Sequence, residues 1–224
     1  MMKIQSYLKI ILITLFFASD VSQAAVVMNA SRIIMDGTPE KTVTFDNTSD
    51  SPFIVQVEPD SNGEPDFVAI PPVFKIKGKG GQTVKVKLLH TDLPRDRESL
   101  FYLNFTQIPS AKKNESGDSR LNIFIRSRLK VIYRPESVKA FSEEKAGSVS
   151  YYFQKGKLVV SNHSQNVISI QNVSEGENIL AQQFTLLPGD SYSTVVKDTH
   201  VSGPLHASMI NDYGIPVSFL IKQD

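Results

Sequence analysis

The sequence predicts an all-β protein of two sandwich-type domains, and three observations support that prediction. From Ala25 onward apolar and polar residues alternate with a period of two, and no long segment shows the 3.6-residue period of an amphipathic helix. Turn-forming clusters at Asp36-Gly37, Ser61-Asn62-Gly63 and Gly78 to Gly81 cut the alternation into short runs. Arg134-Pro135-Glu136-Ser137 then interrupts the pattern, which resumes beyond it.

The chain begins with Met1 to Leu8, which is short and carries Lys3, with Lys9 close behind. Ile10 to Ala18 is apolar apart from Thr14, and Ser22-Gln23-Ala24 offers the small residues a signal peptidase requires. We read residues 1–24 as a signal peptide. Its apolar run falls well short of the ~20 residues a membrane-spanning helix needs, and no later segment approaches that length, so no membrane span is expected. The leader takes Lys3, Lys9 and Asp20 with it. The 24 basic and 23 acidic residues of the full chain then become equal in number, and the exported protein is neutral. Neutrality argues against a nucleic-acid binder acting through bulk charge, and 41% hydrophobic residues argue against disorder. The sequence contains no cysteine, which excludes disulfide scaffolds, thiolate metal sites and thiol nucleophiles. Stability must come from packed cores.

Residues 25–136 form the first expected domain. Its candidate strands are Val26 to Met35, Thr42 to Asp46, Phe53 to Glu58, Val73 to Ile76, Thr83 to Leu89, Leu100 to Ile108 and Leu121 to Tyr133. Seven strands in about 110 residues match an immunoglobulin-like sandwich. Pro135 removes a backbone donor and biases Arg134 toward an extended conformation, which makes a short, stiff joint. Residues 137–224 form the second domain, with strands expected at Val149 to Phe153, Lys157 to Asn162, Val167 to Val173, Gln183 to Leu187, Tyr192 to Val196, Leu205 to Ile210 and Pro216 to Ile221.

One strand is unusual for a sandwich. Between Leu121 and Tyr133 the odd positions are apolar except Ser127, whereas Arg126, Arg128, Lys130 and Arg134 occupy even ones. At ~3.3 Å per residue this strand spans roughly 43 Å, about twice the usual length. Two readings follow from the residues. It is a long core strand, or its first half projects beyond the core and lends its apolar row to a partner that lacks a strand. The preceding Ser110 to Ser119 is polar apart from Ala111 and reads as a loop.

Other signals are discounted. His90, His163, His200 and His206 lack zinc-type spacing, so neither metal nor cofactor is expected. Gly78 to Thr83 lacks phosphate-loop spacing and reads as a hairpin loop. The triplet Asn104-Phe105-Thr106 falls inside a predicted strand, and such matches are common by chance. No carboxylate pair or triad spacing points to a hydrolase, and no enzyme is expected.

Leu93-Pro94-Arg95-Asp96-Arg97-Glu98-Ser99-Leu100-Phe101-Tyr102-Leu103-Asn104-Phe105-Thr106-Gln107-Ile108-Pro109 resembles the signature of the PapD-like periplasmic pilus chaperones. Arg32 to Gly37, Pro71-Pro72-Val73, Leu129 to Pro135 and Ile210 to Gly214 extend the resemblance over nearly the whole exported chain. It implies a boomerang of two immunoglobulin-like domains that binds pilus or fimbrial subunits in the periplasm and delivers them to an outer-membrane usher. The long strand then donates Leu121, Ile123 and Ile125 to a subunit groove by donor-strand complementation, a mode in which backbone pairing and side-chain pockets share the recognition. Arg32 and Lys130, each by itself an ordinary surface cation, become ligands of the subunit's C-terminal carboxylate. Glu98, Arg134 and Asp212 become an interdomain ion network. Only about eleven residues separate Pro109 from Leu121, which resembles the family's short-loop branch. The resemblance leaves self-association of the free protein through its exposed edge open. The alternative reading is an exported immunoglobulin-like structural or adhesive fimbrial subunit. That reading expects a donor-like extension at the N-terminus, whereas the long strand here is internal.

Overall fold

A computed structural model describes residues 25–61, 63–89, 92–110, 123–197 and 203–224. The expected signal peptide, Leu121 with the loop before it, His90 and His200 lie outside the described residues.

The alternation from Val26 to Arg134 folds into β1 (Val26–Met28), β2 (Arg32–Asp36), β3 (Glu40–Asn47), β4 (Phe53–Pro59), β5 (Phe67–Ile70), β6 (Val73–Ile76), β7 (Gly81–Leu88), β8 (Ser99–Pro109) and β9 (Ile125–Arg134). One sheet has the order β1-β3-β7-β5 and the other β2-β9-β8-β4-β6. Inward rows from both, including Val43 and Phe45, Val84 and Val86, Val55 and Val57, and Leu103 and Phe105, bury one core. Phe45 meets Phe105 edge-on across it at 5.1 Å between ring centroids.

Three expectations are corrected here. Val26 to Met35 is two strands that join different sheets: β1 pairs antiparallel with β3, whereas β2 pairs parallel with β9. The buried residue is even-numbered in β1 (Val26) and odd-numbered in β2 (Ile33, Met35), a change of phase that an unbroken strand cannot make. Gly78 to Gly81 is no hairpin, because β6 and β7 lie in opposite sheets. A Cβ on Gly78 would sit 2.0 Å from the Asp50 carbonyl oxygen, so glycine is what lets this crossover pass. β5 had no counterpart in the expected strands. It is four residues long and ends at Pro71-Pro72.

The second sandwich follows a 3-10 turn at Glu143–Ser148 and comprises β10 (Val149–Gln154), β11 (Lys157–Asn162), β12 (Ile168–Glu175), β13 (Asn178–Leu186), β14 (Ser191–Val195), β15 (Leu205–Ile210), β16 (Pro216–Leu220) and β17 (Lys222–Gln223). Its sheets run β14-β11-β10-β17 and β13-β12-β15-β16 around a separate core that includes Leu158, Val160, Ile168, Val173, Leu186 and Leu205. Phe184 and Tyr192 stack across the two sheets at 4.0 Å. The chain is therefore two immunoglobulin-like sandwiches.

Each sandwich buries an asparagine at the end of a strand. The Asn47 amide donates to the Ser51 and Lys77 carbonyls while its oxygen accepts from the Ser49 backbone and hydroxyl. Asn162 repeats the pattern, donating to Asn166 O and Leu187 O and accepting from Ser164. These Asn-x-Ser triplets are turn clasps whose polar atoms are satisfied internally.

Candidate functional site

β9 is paired unequally along its length. β8 accompanies it from Ile125 to Tyr133, but β2 covers its other side only from Lys130 to Arg134. Among the described residues, Ile125 to Leu129 therefore has one open edge. The apolar residues leading into it are solvent-facing: Ile123 is 63%, Phe124 60% and Ile125 44% exposed. The basic face is also partial. Arg126 and Arg128 are exposed, Lys130 is half-buried, and Ile132 and Arg134 are buried where β9 meets the second domain.

The two exposed arginines are already compensated. Arg126 pairs with Glu58 at 3.2 Å and Arg128 with Asp60 at 2.5 Å, and Arg128 also lies 3.7 Å above the Tyr102 ring. Arg32 and Lys130 differ, because neither forms an ion pair among the described residues. They are register partners where β2 begins, and both reach across to the second domain. Lys130 Nζ donates to Ser169 Oγ and Thr185 Oγ1, each at 2.7 Å, and Arg32 Nη1 donates to the Ile210 carbonyl at 2.8 Å. Arg32 Nε is buried without a partner.

A cleft of about 370 Å³ opens over these groups, lined by Arg32, Lys130, Ser169, Gln183, Thr185 and Ile210 among others. Gln183 adopts a left-handed backbone (φ 51°) beside it. Burial lowers the basicity of both cations. Lys130 is brought down to about 8, first by burial and then by the Arg32 charge, and Arg32 is lowered by burial against the opposing pull of Asp212. An ammonium has three donors and Lys130 uses two, so one remains beside the free Arg32 Nε. Two partly desolvated cations with spare donors are chemically suited to an anion.

The structure also brings Glu98, Arg134 and Asp212 together. Arg134 Nε donates to Glu98 Oε1 at 2.6 Å, and its two terminal nitrogens reach Asp212 at 2.8 and 3.1 Å. Burial works against the Arg134 charge, but hydrogen bonds and charges from Asp212 and Glu98 raise its basicity above the ordinary value. Asp212 lies on the Asn211 to Ile215 turn, where Asn211 Oδ1 accepts from Tyr213 N and Ile215 N. Gly214 in that turn has φ 81°, and a Cβ there would come 2.5 Å from Ser31 Oγ. Glu98 also accepts from Asn166 Nδ2 at 3.0 Å and Val167 N at 2.7 Å. Asn166, Ser169 and Thr185 were not singled out in the sequence. They sit in ordinary polar or strand contexts, and their bonds to Glu98 and Lys130 form only where the domains meet. Among the described residues no cluster of His, Asp and Glu could hold a metal ion, and no helix is long and apolar enough to cross a membrane.

The fold and cleft together define a class of protein: paired immunoglobulin-like sandwiches with a strand edge left open beside two cations that form no ion pair among the described residues. Residues 25–139 match the family model described as pili and flagellar-assembly chaperone, PapD N-terminal domain, and the chain belongs to that family. Its relatives include the Chaperone protein FocC of Escherichia coli, 30% identical over 89% of this chain and 90% of that one. The Chaperone protein MrkB of Klebsiella pneumoniae is 32% identical over 92% and 96%. In three dimensions the fold is similar to that of the Salmonella enterica SafA pilin in complex with the SafB chaperone, with a TM-score of 0.77 at 24% identity, covering 89% of this chain and 97% of that one. The relatives are assembly chaperones rather than enzymes.

Proposed function

We propose that the protein is a periplasmic chaperone that captures pilus or fimbrial subunits by adding its own strand to them and hands them to an outer-membrane usher. One observation carries the reading: the open edge of β9 ends where β2 begins, at Arg32 and Lys130. A strand added there lies end to end with β2. If it runs parallel to β9, as β2 does, its last residue brings a carboxylate to the two cations. If it runs antiparallel, an N-terminal ammonium arrives and is repelled. Charge therefore selects parallel addition of a chain's C-terminal strand, with Arg32 and Lys130 as carboxylate ligands.

Ile123 and Ile125, with Leu121 ahead of them, enter the groove of the subunit, each contributing about 1.5–3 kcal/mol when fully buried. Glu98, Arg134 and Asp212 fix the angle between a first domain at 25–136 and a second at 137–224, after loss of the leader at 1–24. The short connection from Pro109 to Leu121 favours the short-loop branch. In the absence of a subunit the same edge is free to pair with a second copy.

The test is recovery of small exported subunits with the protein from periplasmic extract, compared with Lys130→Glu. Loss of subunits from the variant is expected. Equal recovery from the two proteins overturns the carboxylate anchor.

A further inference from the structure

The second domain contributes to the cationic cleft in a way that neither its fold nor the open edge of β9 requires. β12 and β13 pair antiparallel with Ser169 opposite Thr185, so two hydroxyls stand side by side on one strand pair. β15 lies on the other flank of β12 and presents the Ile210 carbonyl. These three adjacent strands receive the two cations that start the β2 and β9 pairing. Ser169 is 4% exposed, and its hydroxyl is an acceptor aimed at Lys130 Nζ from 2.7 Å, as is that of Thr185.

We infer that Ser169 and Thr185 act as a hydroxyl clamp, positioning residues that keep the Lys130 ammonium charged and point its third N–H into the cleft. The inference rests on the carboxylate-anchor reading for its purpose but not for its geometry. Two hydroxyl acceptors replace part of the hydration an ammonium loses on burial, which favours its charged form. The clamp also fixes direction, because an ammonium held by two acceptors has only one tetrahedral position left for a ligand. The charged or titratable groups around Lys130 are Arg32 on β2, Arg128 on its own strand and Tyr102 opposite it on β8, while Asp212, two residues beyond Ile210, acts on Arg32. β13 contains no charged residue and β12 has only Glu175 at its far end, so these strands supply the clamp through neutral oxygens. A half-buried lysine is thereby kept in its charged form by a strand pair that places no charge beside it.

The test is a direct titration of Lys130 by NMR of its side chain, in the wild-type protein and in the Ser169→Ala/Thr185→Val double variant. The wild type is expected to titrate near 8. The double variant should titrate lower by on the order of one pH unit, as the loss of two hydrogen bonds to the charged form dictates. Ser169→Thr, which keeps a hydroxyl, should stay close to wild type. A double variant that folds normally and titrates where the wild type does overturns the clamp, as does an equal downward shift in Ser169→Thr. Sodium acetate separates the two ideas. A downward shift in the double variant with no response of wild-type Lys130 to acetate supports the clamp and counts against the carboxylate anchor. An acetate response in both proteins with identical midpoints retains the anchor and removes the clamp.

Discussion

Arg32 and Lys130 face each other across the first rung of the parallel pairing between β2 and β9, and cross to the second domain, Arg32 to β15 and Lys130 to β12 and β13. Two cations are thus held side by side with donors to spare, at the point where β9 loses its neighbour. Four outcomes follow from this arrangement and its surroundings.

Charge reversal at either cation should abolish subunit capture with little effect on the fold. Removing one partner of a desolvated charge pair costs on the order of 2–5 kcal/mol, a loss of thirtyfold or more. Subunit recovery measures the first effect and thermal unfolding the second. Because burial disfavours the charged form of Lys130, Lys130→Met should unfold at the same temperature as the wild type or higher.

Ile123→Asp and Ile125→Asp test the open edge. Both side chains are exposed in the free protein, so unfolding should be unchanged, while capture falls by about 1.5–3 kcal/mol for each side chain that a subunit would bury. A matching loss of stability would mean that the row belongs to the first domain's own core.

Capture should also depend on pH with a defined sign. Lys130 titrates near 8 when the cleft is free, and a bound carboxylate raises that value, so binding takes up a proton above it. Affinity is then constant below about 8 and falls as pH rises beyond it, by at most tenfold per unit. Folding runs the other way. Between 8 and the ordinary 10.5 the unfolded chain holds more protons at this site than the folded one, so the Lys130 contribution to stability rises with pH across that window. Binding isotherms and unfolding midpoints over the same pH series check both slopes.

The joint should respond differently to loss of its cation and to loss of its outer carboxylate. Arg134→Met leaves Glu98, 4% exposed, without its cation and should destabilise the protein by roughly 3–5 kcal/mol. Asp212 is about one third exposed, so Asp212→Asn should cost far less stability and instead broaden the range of domain orientations seen by small-angle scattering. A scattering profile identical to wild type would assign the angle to other contacts.

Much of this was legible in the residues. The period of two identified nearly every strand, and the alternation through Leu121 to Tyr133 marked β9 as unusual before any partner was considered. The break between β1 and β2 was not so marked, because Val26-Val27-Met28 and Ile33-Ile34-Met35 are apolar in both phases and only their burial separates the two strands. Sheet membership was not legible. A Gly-rich turn at Gly78 to Gly81 looks the same whether the flanking strands pair or part, and only the close approach to Asp50 distinguishes them. Arg32, Lys130, Glu98, Arg134 and Asp212 came from motif resemblance, since no local pattern distinguishes them from surface charges. Ser169, Thr185 and Asn166 gave no signal, because the bonds that join them to Lys130 and Glu98 come from the other domain over a long separation in sequence.

β2 fills the edge of β9 from Lys130 onward, which closes the strand slot at one end. On the proposed reading, a strand added to the open edge abuts β2 at that end, so a client seats there only once its C-terminus is free.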